Sequence, residues 1–226
     1  MKRLILFDID GTLVRGGPAK AAFGLAMDAT FGTAGAIDTH DFSGKTDPQI
    51  ARELLLGAGL EPAAVDAGFA DLWDRYLAEL ESRLVAAPMR VIPGAGELVS
   101  ALEESGQAAL GLVTGNIVRG ARLKLGSAGL DRFPIGGFGS DHEVRNQLPG
   151  IALARARVQW GVDFDRSGVW IVGDTPLDVA CGRHEGVRTL AVATGRHGTE
   201  ELAACGADEV LADLRDLDRA LTTLLG

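Results

Sequence analysis

With 226 residues, 46% of them hydrophobic and 23% charged, the chain has the composition of a globular protein: one large domain, or a domain with a sizeable insert. Its net charge of −9 argues against general nucleic-acid binding, which needs a basic surface, and means an anionic substrate must find local positive charge. Two cysteines, Cys181 and Cys205, are too few for a disulfide framework, and no apolar run approaches the length of a membrane span. Met1-Lys2-Arg3 leads straight into an apolar run without a cleavable signal pattern, so the expectation is a cytoplasmic protein with free buried thiols.

The first element is Leu4-Ile5-Leu6-Phe7, which breaks into Asp8-Ile9-Asp10 and then Gly11-Thr12-Leu13. A short apolar run ended by a turn signal fits a strand buried on both faces, as in a parallel sheet. Side chains alternate along a strand, so Asp8 and Asp10 leave its end on the same side. Carboxylates that close repel, and one must be protonated, neutralised or shared with a cation. A hard divalent cation such as Mg2+, with oxygen ligands, suits the pair. Gly11 allows a sharp exit and a close backbone approach to a ligand. A strand followed by an acidic turn on a solvated edge is the plainer alternative.

Val14-Arg15-Gly16-Gly17-Pro18 reads as a flexible, turn-rich exit. Ala19 to Phe31 then reads as a helix with Phe23, Ala26, Met27 and Thr30 on one face. Asp47-Pro48 suggests an N-cap with proline at the first helical position, opening a helix to about Leu56. From Glu61-Pro62 onward Phe69, Leu72, Trp73, Tyr76, Leu77 and Leu80 recur at helical spacing, a stripe best read as core. The span 15–88 is therefore expected to be helical without a convincing strand, and Pro88 and Pro93 bracket a linker back to the main domain.

Beyond it, strands and helices alternate. Helices are predicted over 95–104, 116–128, 147–160, 177–185, 200–205 and 214–224, and buried strands over 108–113 and 169–172. Shorter strands are expected over 135–138, 189–193 and 209–211, although Gly136-Gly137-Phe138-Gly139 is also turn-rich and is no dinucleotide fingerprint. Alternation of this kind implies an α/β fold, a doubly wound parallel sheet with helices on both faces. Ligands in such sheets sit beyond the carboxyl ends of the strands. Three strands end there in polar residues: Asp8/Asp10, Thr114-Gly115-Asn116 and Gly173-Asp174-Thr175. A hydroxyl with backbone N–H groups at a helix N-terminus makes a phosphate cradle, although Thr114 and Asn116 equally suit plain helix capping. None of His40, His142, His184 and His197 has paired metal-ligand spacing. Gly44-Lys45-Thr46 fails as a nucleotide P-loop, because the earlier glycine would fall at Thr39 and no apolar strand precedes it.

These residues carry a resemblance. Asp8-Ile9-Asp10-Gly11-Thr12-Leu13 resembles the first motif of the haloacid dehalogenase superfamily, in its phosphatase branch, and Leu112-Val113-Thr114-Gly115-Asn116 resembles the second. Val172-Gly173-Asp174-Thr175-Pro176-Leu177-Asp178 resembles the fourth, Gly-Asp-x-x-x-Asp. The third departs from the family. Its usual lysine is missing from Asp141-His142-Glu143-Val144-Arg145-Asn146-Gln147-Leu148-Pro149, where Arg145 is the best-placed cation, and Arg155 and Arg157 look solvated.

The resemblance implies a Rossmann-like core of residues 1–14 and 89–226 with a small helical cap, 15–88, inserted after the first motif. It implies a Mg2+-dependent phosphatase, similar to phosphoglycolate phosphatases, acting on a small phosphorylated metabolite. Asp8 would be the nucleophile and Asp10 the acid/base. Asp8, the backbone carbonyl of Asp10 and Asp174 would hold the metal, with Asp178 supporting them from the next helix. Thr114, Arg145 and the Gly11 and Thr12 backbone would hold the phosphoryl oxygens, with Gly115 and Asn116 beside them. Phe42-Ser43-Gly44-Lys45-Thr46-Asp47 resembles the cap's substrate-facing loop, where Lys45 would meet an anion. A sugar-phosphate mutase of this fold and a non-catalytic phosphate-binding regulatory module stay open, as do a monomer and a homodimer. Neither nucleic acid nor membrane is expected as a partner.

Overall fold

The computed structural model describes residues 3–226. Strand β1 (Arg3–Phe7) is central, because the apolar run carries side chains to both faces and needs cover on each. It pairs in parallel with β4 (Ala108–Thr114) on one side and β6 (Val169–Gly173) on the other. Beyond β4 lies β5 (Ile135–Phe138), and beyond β6 lie β7 (Arg188–Val192) and β8 (Glu209–Leu211). The order β5-β4-β1-β6-β7-β8 is all parallel, the doubly wound sheet that the alternating pattern predicts. The chain winds outward from β1 through β4 to β5, then returns to β6, so the order reverses beside the end of β1.

Strand alternation divides the core in two. Ile5 and Phe7 face one layer together with Leu110, Leu112, Trp170 and Val172. Leu4 and Leu6 face the other, with Ala109, Val113, Ile171 and Cys181. The crossovers are α4 (Ala95–Ser105), α5 (Val118–Ser127), α6 (Leu148–Trp160), α7 (Pro176–Glu185) and α8 (Thr199–Ala204), and α9 (Leu217–Leu225) closes the chain. No helix among the described residues is long and apolar enough to cross a membrane. Cys181 is buried, Cys205 is partly buried, and both are free thiols.

Between β1 and β4 stand three helices: α1 (Ala19–Phe31), α2 (Asp47–Gly57) and α3 (Pro62–Leu84). The aromatic stripe of α3 is core: Leu72, Tyr76 and Leu80 are buried, and Phe23 of α1 meets Tyr76 edge-on at 5.1 Å. Two short strands were not expected. The turn-rich exit and the proline-bracketed linker pair antiparallel as β2 (Val14–Arg15) and β3 (Arg90–Val91), which ties the two ends of the insert together. Ile135–Phe138, which also read as turn-rich, is a fully buried strand. The cap of α2 also differs from the expectation. Thr46 is the N-cap and accepts the Gln49 N–H at 3.2 Å, leaving Asp47 as the first helical residue and Pro48 as the second.

Candidate active site

The carboxyl ends of β1, β4, β6 and β7 converge on a pocket of about 530 Å³, whose other wall comes from α1 and residues 40–47. Asp8, the first residue past β1, is buried and donates its N–H to the Val172 carbonyl at 2.9 Å. Gly11 takes φ +91°, and a Cβ there would run into the Asp174 carboxylate, so the backbone passes the carboxylate only because the residue is glycine. The turn is pinned from β7 as well, where the Thr194 hydroxyl donates to the Gly11 carbonyl at 2.6 Å.

Asp8, Asp174 and Asp178 form a buried carboxylate group whose oxygens lie within 4.8 Å of one another. Burial, opposed by Arg145 and reinforced by Asp178 and Asp10, pushes the Asp8 carboxyl up to about 6. Burial and the charges of Asp8 and Asp178 push Asp174 up to about 8. The three acids are not equivalent. Asp178 gives Oδ1 to Arg145 at 2.5 Å, and its Oδ2 accepts the Thr175 N–H at 3.0 Å and the Thr175 hydroxyl at 2.6 Å. Thr175 and Asp178 thereby form the capping box that starts α7, and both oxygens of Asp178 are engaged. Asp174 accepts a single hydroxyl, that of Thr12, at 3.1 Å. Asp8 and Asp174 are thus the carboxylates with capacity for a cation, and two buried acids held above the ordinary range are the donor set that a hard divalent ion would relieve.

Arg145 lies in a single 3-10 turn before α6 and is buried. Its Nη2 reaches Asp8 Oδ1 at 3.0 Å as well as Asp178. Burial alone would weaken its proton affinity, but Asp178 and Asp8 outweigh that and hold it well above the usual arginine value. The departure from the family's lysine therefore leaves a cation at the centre of the site. Arg155 is exposed yet holds Asp141 through two nitrogens, at 2.5 and 2.8 Å.

The second motif is organised differently from the expectation. The N-terminus of α5 does not offer its first amides to a phosphate: the Ile117 N–H donates to Asp47 Oδ2 at 2.8 Å and the Val118 N–H to the Ser140 hydroxyl at 3.1 Å. Asn116 does not cap the helix. Its amide donates to Thr114 Oγ1 and to Asp10 Oδ2, both at 2.8 Å, while its carbonyl accepts Lys124 Nζ at 2.6 Å. The Asp10 carboxylate, half-exposed, lies outside the Asp8–Asp174–Asp178 group and also takes Lys124 at 2.7 Å. Gly115 packs against the insert, where a Cβ would overlap the Lys45 carbonyl.

The loop 42–47 is seated on the core. Asp47 donates its N–H to the Gly115 carbonyl at 2.7 Å, and the Thr46 hydroxyl donates to the Glu143 carbonyl at 2.7 Å. Lys45 lines the pocket, but its ammonium bonds Glu53 at 2.5 Å, which blunts the free charge expected of it. His40 stands 3.2 Å from the same Glu53 oxygen.

Three groups escaped the sequence reading. Lys124 is buried on α5 beside Ala121 and Leu125, and a lysine in the apolar phase of an amphipathic helix is the signal that marks it. Asp47 is half-buried at the pocket wall. Burial outweighs Lys124 and the Ile117 N–H and lifts its carboxyl to about 6. Thr194-Gly195-Arg196 follows a fourth strand to the same edge, and the strand-end rule applied to β7 would have included it.

The family model for haloacid dehalogenase-like hydrolases matches residues 5–183. The chain is 32% identical to an N-acetylmuramic acid 6-phosphate phosphatase of Pseudomonas aeruginosa, over 98% of this chain and 99% of that protein. It is 28% identical to a phosphoglycolate phosphatase of Synechococcus elongatus, over 98% of each. Among solved structures, a hydrolase from Pseudomonas syringae superposes with a TM-score of 0.75 at 23% identity, covering 100% of both chains. The chain belongs to the haloacid dehalogenase-like hydrolase family, in its phosphoglycolate phosphatase-like branch.

Proposed function

We propose that the protein hydrolyses a small phosphate monoester through an aspartyl-phosphate formed on Asp8. The observation that carries this reading is the setting of Asp8: buried at the end of the central strand, 3.0 Å from the Arg145 guanidinium and open to the pocket. Relatives of nearly full-length overlap named as phosphatases support it.

In the first step an Asp8 oxygen attacks phosphorus and the bond from phosphorus to the alcohol oxygen breaks. Asp10 gives its proton to that oxygen as it leaves. In the second step Asp10 takes a proton from water, the water oxygen attacks the phosphoryl group, and inorganic phosphate and free Asp8 result. Thr114 and Arg145 hold the phosphoryl oxygens; the backbone N–H groups of Gly11 and Thr12, expected to share that task, are instead given to the Val14 and Ile9 carbonyls at 2.9 and 3.4 Å. Asp8, Asp174 and the backbone carbonyl of Asp10 would hold Mg2+, with Asp178 fixing Arg145 beside them. The fit rests on the raised carboxyls of Asp8 and Asp174, since clustered buried acids gain from a shared cation. When bound, Mg2+ supplies positive charge to the phosphoryl oxygens.

Residues 15–88 act as a cap in this reading. The antiparallel pair β2–β3 ties its two ends together, and the contacts of residues 45–47 with Gly115, Ile117 and Glu143 seat it over the pocket. Seating there keeps bulk water from the phosphoryl group and lets Lys20, His40 and Phe42 meet the alcohol part of the ester. The test is phosphate release from a panel of esters, phosphoglycolate and sugar phosphates among them, with isomerised sugar phosphate assayed in parallel. Release of inorganic phosphate supports the reading, and isomerisation without release contradicts it.

A further inference from the structure

We propose that Lys124 is a positioning residue that holds the acid/base Asp10 facing the leaving oxygen; the proposal rests on the phosphatase reading above. Lys124 lies eight residues past the second expected motif, yet it is 5% exposed and its ammonium is spent on two acceptors at the pocket, Asp10 Oδ2 at 2.7 Å and Asn116 Oδ1 at 2.6 Å. A buried lysine is costly unless its charge is matched, and here the matching carboxylate is the one the reaction needs.

The geometry is directional. Lys124 and the Asn116 amide both donate to Oδ2, which leaves Oδ1 of Asp10 for the pocket. Asn116 orients its amide unambiguously, its oxygen toward the ammonium and its nitrogen toward the carboxylate, because the reverse would set donor against donor and acceptor against acceptor. The same nitrogen reaches Thr114 Oγ1, so the acid/base and the phosphate-side hydroxyl are fixed by one network. The Asp47 charge acts on the ammonium from the insert, and the Asp47 carboxylate in turn holds the Ile117 N–H at the start of the helix that carries Lys124. Seating of the insert and placement of Asp10 are thereby linked through α5.

A group that acts by aiming a general acid matters most where the leaving oxygen needs a proton. The experiment compares kcat/KM of the Mg2+-loaded enzyme on glycerol 2-phosphate, an alkyl ester with a poor leaving group, and on p-nitrophenyl phosphate, whose leaving group departs unaided. Lys124→Met is expected to lower the alkyl value about 100-fold and the aryl value less than about fivefold, in line with the loss of one positioned acid. In an Asp10→Asn background the same substitution is expected to change the alkyl value less than about twofold. Equal losses on both esters, full retention of the alkyl activity, or an additive loss in the Asp10→Asn background would each overturn the proposal. Circular dichroism reports folding, and if Lys124→Met does not fold, Lys124→Gln is read against the same three criteria. Wild-type protein that turns over neither ester removes the phosphatase reading itself, an outcome distinct from a wild-type enzyme indifferent to Lys124.

Discussion

Arg145 Nη2 stands 3.0 Å from Asp8 Oδ1, and both side chains are buried. The same nitrogen bonds Asp178, so one guanidinium neutralises a carboxylate of the β1 end and one of α7. Arg145→Met removes the cation and leaves buried acids facing each other. It is expected to destabilise the metal-free protein by about 3–5 kcal/mol in urea unfolding at pH 7. Arg145→Lys keeps a point charge without the planar fork and should lose less. A Met variant within about 0.5 kcal/mol of wild type would show that the pair is not held as described.

The pH dependence of stability should bear the mark of Asp47. Its carboxyl sits at about 6 in the folded protein against 3.8 for a free aspartate, chiefly through burial. The folded state thus binds this proton more tightly than the unfolded one. The stability it contributes is complete below pH 3.8 and is lost as the pH rises through about 6. Asp47→Asn carries no such term. Its stability relative to wild type is expected to rise by about 3 kcal/mol between pH 4 and pH 7, measured by denaturant unfolding in chelator. A relative stability that is flat across this range would mean that Asp47 titrates normally.

Gly115 is glycine because the Lys45 carbonyl occupies the space of a side chain. Gly115→Ala should lift residues 45–47 off the core while leaving the sheet intact. The expected result is a kcat/KM lowered about 100-fold, as for a small misplacement of positioning groups, with the melting temperature of the chain nearly unchanged. Unaltered kinetics would mean that the seated loop does not contribute to turnover.

Mg2+ should stabilise the protein by relieving Asp8 and Asp174. At a hundredfold excess over its dissociation constant a ligand adds about 2.7 kcal/mol, a rise in Tm of roughly 5–10 °C for a chain of this size. Asp174→Asn should abolish most of that rise. Chelator should return wild type to the metal-free Tm.

The parts of this architecture that the sequence makes legible are those set by local pattern. The apolar runs that become β1, β4 and β6 end in Asp8, Thr114 and Asp174, and chain-order alternation suffices to bring those ends to one edge. Arg145 is legible as a cation near the edge, but not as the buried partner of both Asp8 and Asp178, since that depends on a fold of the chain between β5 and α6. Asp47 reads as a helix cap because local sequence cannot show that α2 starts against α5 and that its first residue caps the other helix. Lys124 stands in the second turn of α5, eight residues beyond Asn116, and only tertiary packing turns its side chain toward Asp10. The short pair β2–β3 rests on the approach of residues 14–15 and 90–91, which neither segment's own pattern signals.

The most direct test of the account is phosphate release by wild type and Asp8→Asn, each with and without Mg2+. Wild type is expected to turn over only with Mg2+, and Asp8→Asn to lose at least about a thousandfold with the fold retained, as when a covalent nucleophile is removed. Turnover by Asp8→Asn within about tenfold of wild type would contradict it, because the other carboxylate beyond β1, Asp10, is held by Lys124 and Asn116 and serves as the acid/base.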